Sequence, residues 1–206
     1  MLNLLTQNPL FFLIWAASLV IAITIHEFAH AFIADRLGDP TARLDDRVSL
    51  NPLRHLDPIG SLMLLFTGFG WGKPVPFDPY NLKNPRRDSA IIALAGPMSN
   101  LILAVVLAII FRIVWNITLA PFFFSLISLN VSLAIFNLVP IHPLDGGKII
   151  VGFLPLEMAR EWQEIMQRYG ILILIFLLFP FGNSASPVSY LIRPIIDGIV
   201  RLLLYI

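Results

Sequence analysis

An all-α polytopic membrane protein is what this sequence predicts, with a three-span core and one or two further spans or interfacial helices. Three observations lead there: the composition, three long apolar runs, and the placement of the basic residues. Of the 206 residues, 57% are hydrophobic and only 13% charged, against about 25% charged in soluble domains. Mean hydropathy is +0.81. So little charge cannot cover a water-facing surface, and so much apolar bulk excludes a disordered chain. A formal net charge of +1 leaves no basic footprint for nucleic acid. With no cysteine, disulfides and thiolate metal sites are excluded, and any metal must be held by nitrogen and oxygen.

The first apolar run extends from Leu10 to about Ala34, some 25 residues, where about 20 suffice to cross a bilayer. No Lys or Arg precedes it and no small-residue cleavage site closes it, so it reads as a span rather than a signal peptide. The second run covers Ile91 to Val114 and the third Pro121 to Ile141. Two shorter stretches, Ile59 to Trp71 and Gly170 to Phe181, have the length of re-entrant, buried or interfacial pieces. The second of these can still span by continuing a helix that starts near Leu156, with Trp162 and Tyr169 at headgroup level. On that amphipathic helix Glu157, Glu161 and Glu164 read as a solvated face beside Arg160. In the tail from Tyr190 to Ile206, Arg193, Asp197 and Arg201 recur every four residues on one helical face. That pattern fits an interfacial helix or a fifth span with a polar seam.

Orientation follows from the basic residues. Arg36, Arg43, Arg47, Arg54, Lys73, Lys83, Arg86 and Arg87 lie between the first two spans, and Lys148, Arg160 and Arg168 follow the third. The opposite side has Arg112 alone. The positive-inside rule then puts the N-terminus outside and the loop from Asp35 to Asp88 in the cytosol.

Within the first span stands His26-Glu27-Phe28-Ala29-His30. On a helix, the two imidazoles project from one face about 6 Å apart along the axis, a spacing from which both nitrogens can reach one zinc. Glu27, next to the first histidine, can act as general base toward a water at the metal. Three ionisable side chains inside an apolar run are costly there unless paired or functional. Sixteen residues of the run precede His26, about 24 Å of helix, which places the motif at membrane depth toward the cytosolic side. A catalytic zinc takes a third protein ligand. The best-placed candidate is Asp145, in Phe136-Asn137-Leu138-Val139-Pro140-Ile141-His142-Pro143-Leu144-Asp145-Gly146-Gly147. Two prolines and two glycines break the helix there, and irregular backbone at that depth belongs where it is buried or lines a cavity. The plainer reading is a turn at the membrane edge with Asp145 in water.

These residues together resemble the site-2 protease family of intramembrane zinc metalloproteases. The His26-Glu27-x-x-His30 motif and the Asn137…Pro140…Pro143-Leu144-Asp145-Gly146 stretch carry the resemblance, with Gly96-Pro97-Met98-Ser99-Asn100 in the second span. Asn51-Pro52-Leu53-Arg54-His55-Leu56-Asp57-Pro58-Ile59-Gly60 is similar to a stretch in compact bacterial members. The resemblance implies one zinc per chain on His26, His30 and Asp145, with Glu27 as catalytic acid/base. It also implies that Asn137 sits near the scissile carbonyl and that Asn100 neighbours the site. His142 stands where many relatives have proline, and can be a ligand, a support to one, or a spectator; His55 reads as structural. The family's larger members carry PDZ or nucleotide-sensing domains, for which this chain has no room. One membrane-embedded peptidase domain is therefore expected over residues 1–206, its catalytic core about 10–151 and its C-terminal helices about 156–206.

The expected activity is that of an intramembrane zinc endopeptidase cleaving in or next to transmembrane segments of membrane proteins. The alternative is a non-proteolytic metal-binding membrane protein such as a transporter or receptor, which would not need Glu27. Partners are transmembrane substrates and the bilayer, in the bacterial plasma membrane. The proline-rich Gly70-to-Tyr80 segment is extended and poor at helix. It reads either as a surface loop or, as relatives suggest, as a small membrane-associated β element whose edge holds substrate.

Overall fold

A computed structural model describes residues 2–67, 70–114, 117–180 and 186–205. The described helices run in order: α1 (Leu2–Gln7), α2 (Pro9–Leu37), α3 (Thr41–Leu44), α4 (Pro58–Thr67), α5 (Pro85–Val114), α6 (Ala120–Asn137), α7 (Asp145–Phe153), α8 (Leu156–Leu178) and α9 (Pro187–Tyr205). Three of them, α2, α5 and α6, are long and apolar enough to cross a membrane. They match the three predicted spans in place and order, and the protein is a multi-helix membrane protein.

Local chemistry sets the ends of α2. The Asn8 side chain accepts the Phe11 N–H at 3.1 Å while Pro9 fills the first helical position, where its missing N–H loses no bond. At the other end Gly38 adopts a left-handed φ of 109° and its N–H closes onto Ala34 and Asp35, which glycine does without steric penalty.

Packing follows membrane rather than aqueous logic. The buried faces are made of small residues: Ala22, Ala31 and Ala34 of α2, Ala93, Gly96, Ala104 and Ala108 of α5, and Ala134 of α6. Small side chains let helix backbones approach closely where lipid offers no hydrophobic drive for association. Large apolar residues point outward instead, Ile102, Val105, Ile109 and Ile113 of α5 among them. Helix α5 packs against α2, α6 and α7, and α2 also packs against α6.

The shorter pieces resolve as follows. Of the two readings of the Gly170 stretch, helix α8 takes the continuous one, running through it from Leu156 to Leu178, though it is not among the helices apolar enough to span; Phe181 lies outside the described residues. Helix α9 packs its apolar side on α5 and α6. The predicted β element is not present among the described residues: one isolated antiparallel bridge joins Leu56 to Gly72, and the Lys73 N–H donates to the His55 carbonyl at 2.8 Å. Pro74 and Pro76 follow directly and have no N–H to offer, so the ladder cannot propagate.

Side chains hold this segment instead. Arg47, buried, donates to the carbonyls of Lys73 and Pro74. Asp39, fully buried, gathers the Thr41 N–H and hydroxyl at 3.1 and 2.5 Å, the Asp78 N–H at 2.6 Å and the Asn81 amide at 2.9 Å. Burial opposes its charge, but these donors outweigh burial and hold the Asp39 carboxyl below the ordinary aspartate value.

Candidate metal centre

Two elements build the site. Helix α2 supplies His26, Glu27 and His30, and the first turn of α7 supplies Asp145. The Nε2 atoms of His26 and His30 lie 3.0 Å apart, and the Asp145 Oδ2 lies 3.1 and 3.2 Å from them. Tetrahedral zinc bound at about 2.0–2.1 Å puts its ligand atoms roughly 3.3–3.4 Å apart, so the triangle is close to zinc size.

Whether these atoms suit a cation is decided one bond further out. The His30 Nδ1 lies 2.7 Å from the Ile92 carbonyl, which can only accept, so Nδ1 carries the proton. The His26 Nδ1 lies 2.6 Å from the Asn100 Oδ1. Asn100 cannot be turned the other way: its Nδ2 donates to the Ala22 carbonyl at 2.9 Å and to the Asn130 Oδ1 at 2.7 Å. Asn130 is fixed in turn, donating from Nδ2 to the Leu126 carbonyl at 2.7 Å. In their neutral forms, both imidazoles would carry their proton on Nδ1 and turn an Nε2 lone pair toward each other and toward a carboxylate oxygen. With those protons on Nδ1, two imidazole nitrogens and a carboxylate oxygen converge as a donor set that suits a divalent cation.

Glycines make the approach possible. A Cβ on Gly96 would lie 2.6 Å from the His30 Cε1 and 2.7 Å from the His26 Cε1, so only glycine lets α5 lie against both rings. Gly146 passes so close to the carbonyls of Leu138 and Val139 that no side chain fits. The turn before α7 is thereby closed tightly enough to aim Asp145 at the histidines.

A cavity of about 140 Å³ opens beside the triad. Glu27 and Asn137 line it with the three potential ligands, as do Pro74, Val75 and Phe77 of the extended Gly70-to-Tyr80 segment, which forms a strap at the cavity. Asn137 donates from its amide to the Leu133 carbonyl at 3.0 Å, which occupies one of its two N–H groups. The Lys148 ammonium lies 4.7 Å above the Phe77 ring.

The structure thus brings together His26, Glu27, His30, Asn137 and Asp145. His142 stands apart from the potential metal-binding group among the described residues and backs onto Gly170 of α8. Burial, and then the nearby Lys148 ammonium, push its imidazole below the ordinary histidine value. His55, fully buried, has its Nε2 2.6 Å from the Ser49 carbonyl, as a structural residue would. Asn130 was not singled out in the sequence, although an asparagine within an apolar span is itself a signal.

Comparison with known proteins bears on this arrangement. Residues 110–177 match the profile described as Peptidase family M50, a stretch that includes Asn137 and Asp145. YwhC of Bacillus subtilis, whose name assigns it provisionally to the zinc metalloproteases, is 36% identical over 192 residues, covering 88% of this chain and 84% of that protein. Rip2 of Mycolicibacterium smegmatis, provisionally named in the same way, is 32% identical over 81% of this chain and 67% of its own length. Zinc metalloprotease MJ0392 of Methanocaldococcus jannaschii is 27% identical over 84% of this chain and 44% of its own length. No solved structure matches the chain.

Proposed function

The chain belongs to peptidase family M50, the site-2 proteases, and is a zinc metalloprotease of the membrane; on that premise we propose that it hydrolyses peptide bonds in or next to transmembrane segments of membrane proteins. The observation that carries this reading is the close triangle of His26, His30 and Asp145 opening into the cavity that Glu27 and Asn137 line. His26, His30 and Asp145 would hold one zinc, whose Lewis acidity makes water a usable nucleophile near neutral pH. Glu27 takes the proton of the attacking water and later passes it to the leaving amine. The free N–H of Asn137 donates to the scissile carbonyl oxygen as charge grows on it.

The motif lies at bilayer depth on α2, and the basic residues support a cytosolic-side site with the N-terminus outside the cell membrane. A cavity of about 140 Å³ has room for a small cluster of waters but not for an extended peptide. Substrate entry therefore requires Pro74, Val75 and Phe77 to yield. A metal carrier would need ligands and an exit, but no carboxylate base beside the first histidine.

The test is zinc per purified chain together with cleavage of a reconstituted single-span substrate. The wild type should hold about one zinc, Asp145→Ala should lose most of it, and Glu27→Gln should keep it while cleavage falls by roughly 10²–10⁴-fold. Zinc unchanged in Asp145→Ala would remove that residue from the ligand set. Cleavage unchanged in Glu27→Gln would end the general-base assignment.

A further inference from the structure

Helix α9 turns Ile196, Ile199, Val200 and Leu203 onto Ala104, Ala108, Phe123, Ile127 and Val131 of α5 and α6. Those partners lie within helices long and apolar enough to span, so this part of α9 lies at bilayer depth. Arg112 at the end of α5 donates to the Leu203 carbonyl at 2.9 Å, tying the neighbouring ends together. An interfacial helix would spend its apolar face on lipid, whereas α9 spends it on protein. A stripe of Arg193, Asp197 and Arg201 is left facing outward, along a groove of about 580 Å³ that Gly198 also lines. Charged side chains at that depth need a polar partner.

We propose that the stripe docks a second copy of this chain, α9 against α9, about a two-fold axis along the bilayer normal. Two copies inserted in the same sense can form a closed symmetric pair only about such an axis, which sets the two α9 helices parallel. Residues four apart then differ in height by about 6 Å, a gap that an arginine side chain bridges. Arg193 of each copy meets the partner's Asp197, so the pattern is complementary to itself. Within one chain the Arg193–Asp197 pair is long, 3.8 Å, with the two side chains 75% and 53% exposed, so both retain bonding capacity. Arg201 lies one turn before the end of α9, and its extra charge reaches the headgroups along its own stem. A Cβ added at Gly198 meets nothing within 4 Å, leaving the close approach that small residues give to paired membrane helices.

The chain has no cysteine, so a single introduced thiol reports cleanly. Gly198→Cys protein, oxidised in native membranes with copper phenanthroline, should form a disulfide-linked species of twice the 23.1 kDa chain mass. Ile102→Cys, on an exposed face of α5, sets the level of random collision. Adding Asp197→Arg to Gly198→Cys should cut the yield roughly tenfold, and adding Arg193→Asp as well should restore it. Zinc per chain, which α9 surface variants leave unchanged, verifies that the bundle is intact. The proposal is overturned by a Gly198→Cys yield no higher than that of Ile102→Cys, by an unchanged yield with Asp197→Arg, or by an adduct of any other mass.

Discussion

His26 and His30 each commit one ring nitrogen to the protein and keep the other for the cavity. The commitment of His26 runs through two asparagines, so its ligand geometry depends on Asn130, a residue that touches neither histidine. Asn130→Leu removes the acceptor that orients Asn100, and zinc affinity should fall roughly 10–100-fold, measured by chelator competition on purified protein. Gly96→Ala should weaken zinc binding by a similar factor, because the rings are rigid and cannot yield as a flexible side-chain tip would. That His26, Glu27, His30 and Asp145 belong together was legible in the sequence, because ionisable groups inside or beside apolar runs are conspicuous and the i, i+4 spacing suits metal chemistry. The place of Asn130 behind Asn100, and the Ile92 carbonyl, were not, since which residues of α5 and α6 face α2 depends on helix rotation that no single segment encodes.

Among the elements, the strap over the cavity is held by side chains rather than by a ladder. Asp39 gathers four donors from Thr41, Asp78 and Asn81, so Asp39→Ala leaves buried N–H groups unpaired and should destabilise this loop by about 1–3 kcal/mol. Tryptic cleavage after Lys83 should quicken accordingly. The pH dependence has a definite sign. Because folding lowers the Asp39 value, its contribution is complete above the unfolded aspartate value of about 3.9 and is lost as pH falls through the folded one. Proteolysis with an acid-active protease should therefore accelerate in the wild type below about pH 4 and be less pH-dependent in Asp39→Ala. The extended character of this segment was legible from its prolines. Its lack of strand pairing follows from the same prolines, since a residue without N–H breaks the ladder it would join. The anchors Asp39 and Arg47, more than 25 residues away in sequence, were not legible, as nothing local distinguishes a buried anchor from a solvated charge.

For the whole molecule, the three apolar runs set the place and order of the three helices long and apolar enough to span, while the relation of α9 to them had to come from packing. The charge asymmetry makes a claim about sidedness that labelling can check. In intact cells, a membrane-impermeant thiol reagent should modify Ile117→Cys, exposed between α5 and α6, and leave Leu50→Cys untouched until the membrane is opened. The reverse pattern would invert the topology. The distance along the chain between the two halves of the metal centre also has a consequence in time. His26 leaves the ribosome 119 residues ahead of Asp145, a lag of about 6–24 s at 5–20 residues per second. On the proposed ligand set, a centre that needs both is complete only after the third span has been made, so a half-inserted nascent chain would be unable to cut its neighbours in the translocation machinery, and completion of biogenesis would be what arms the peptidase.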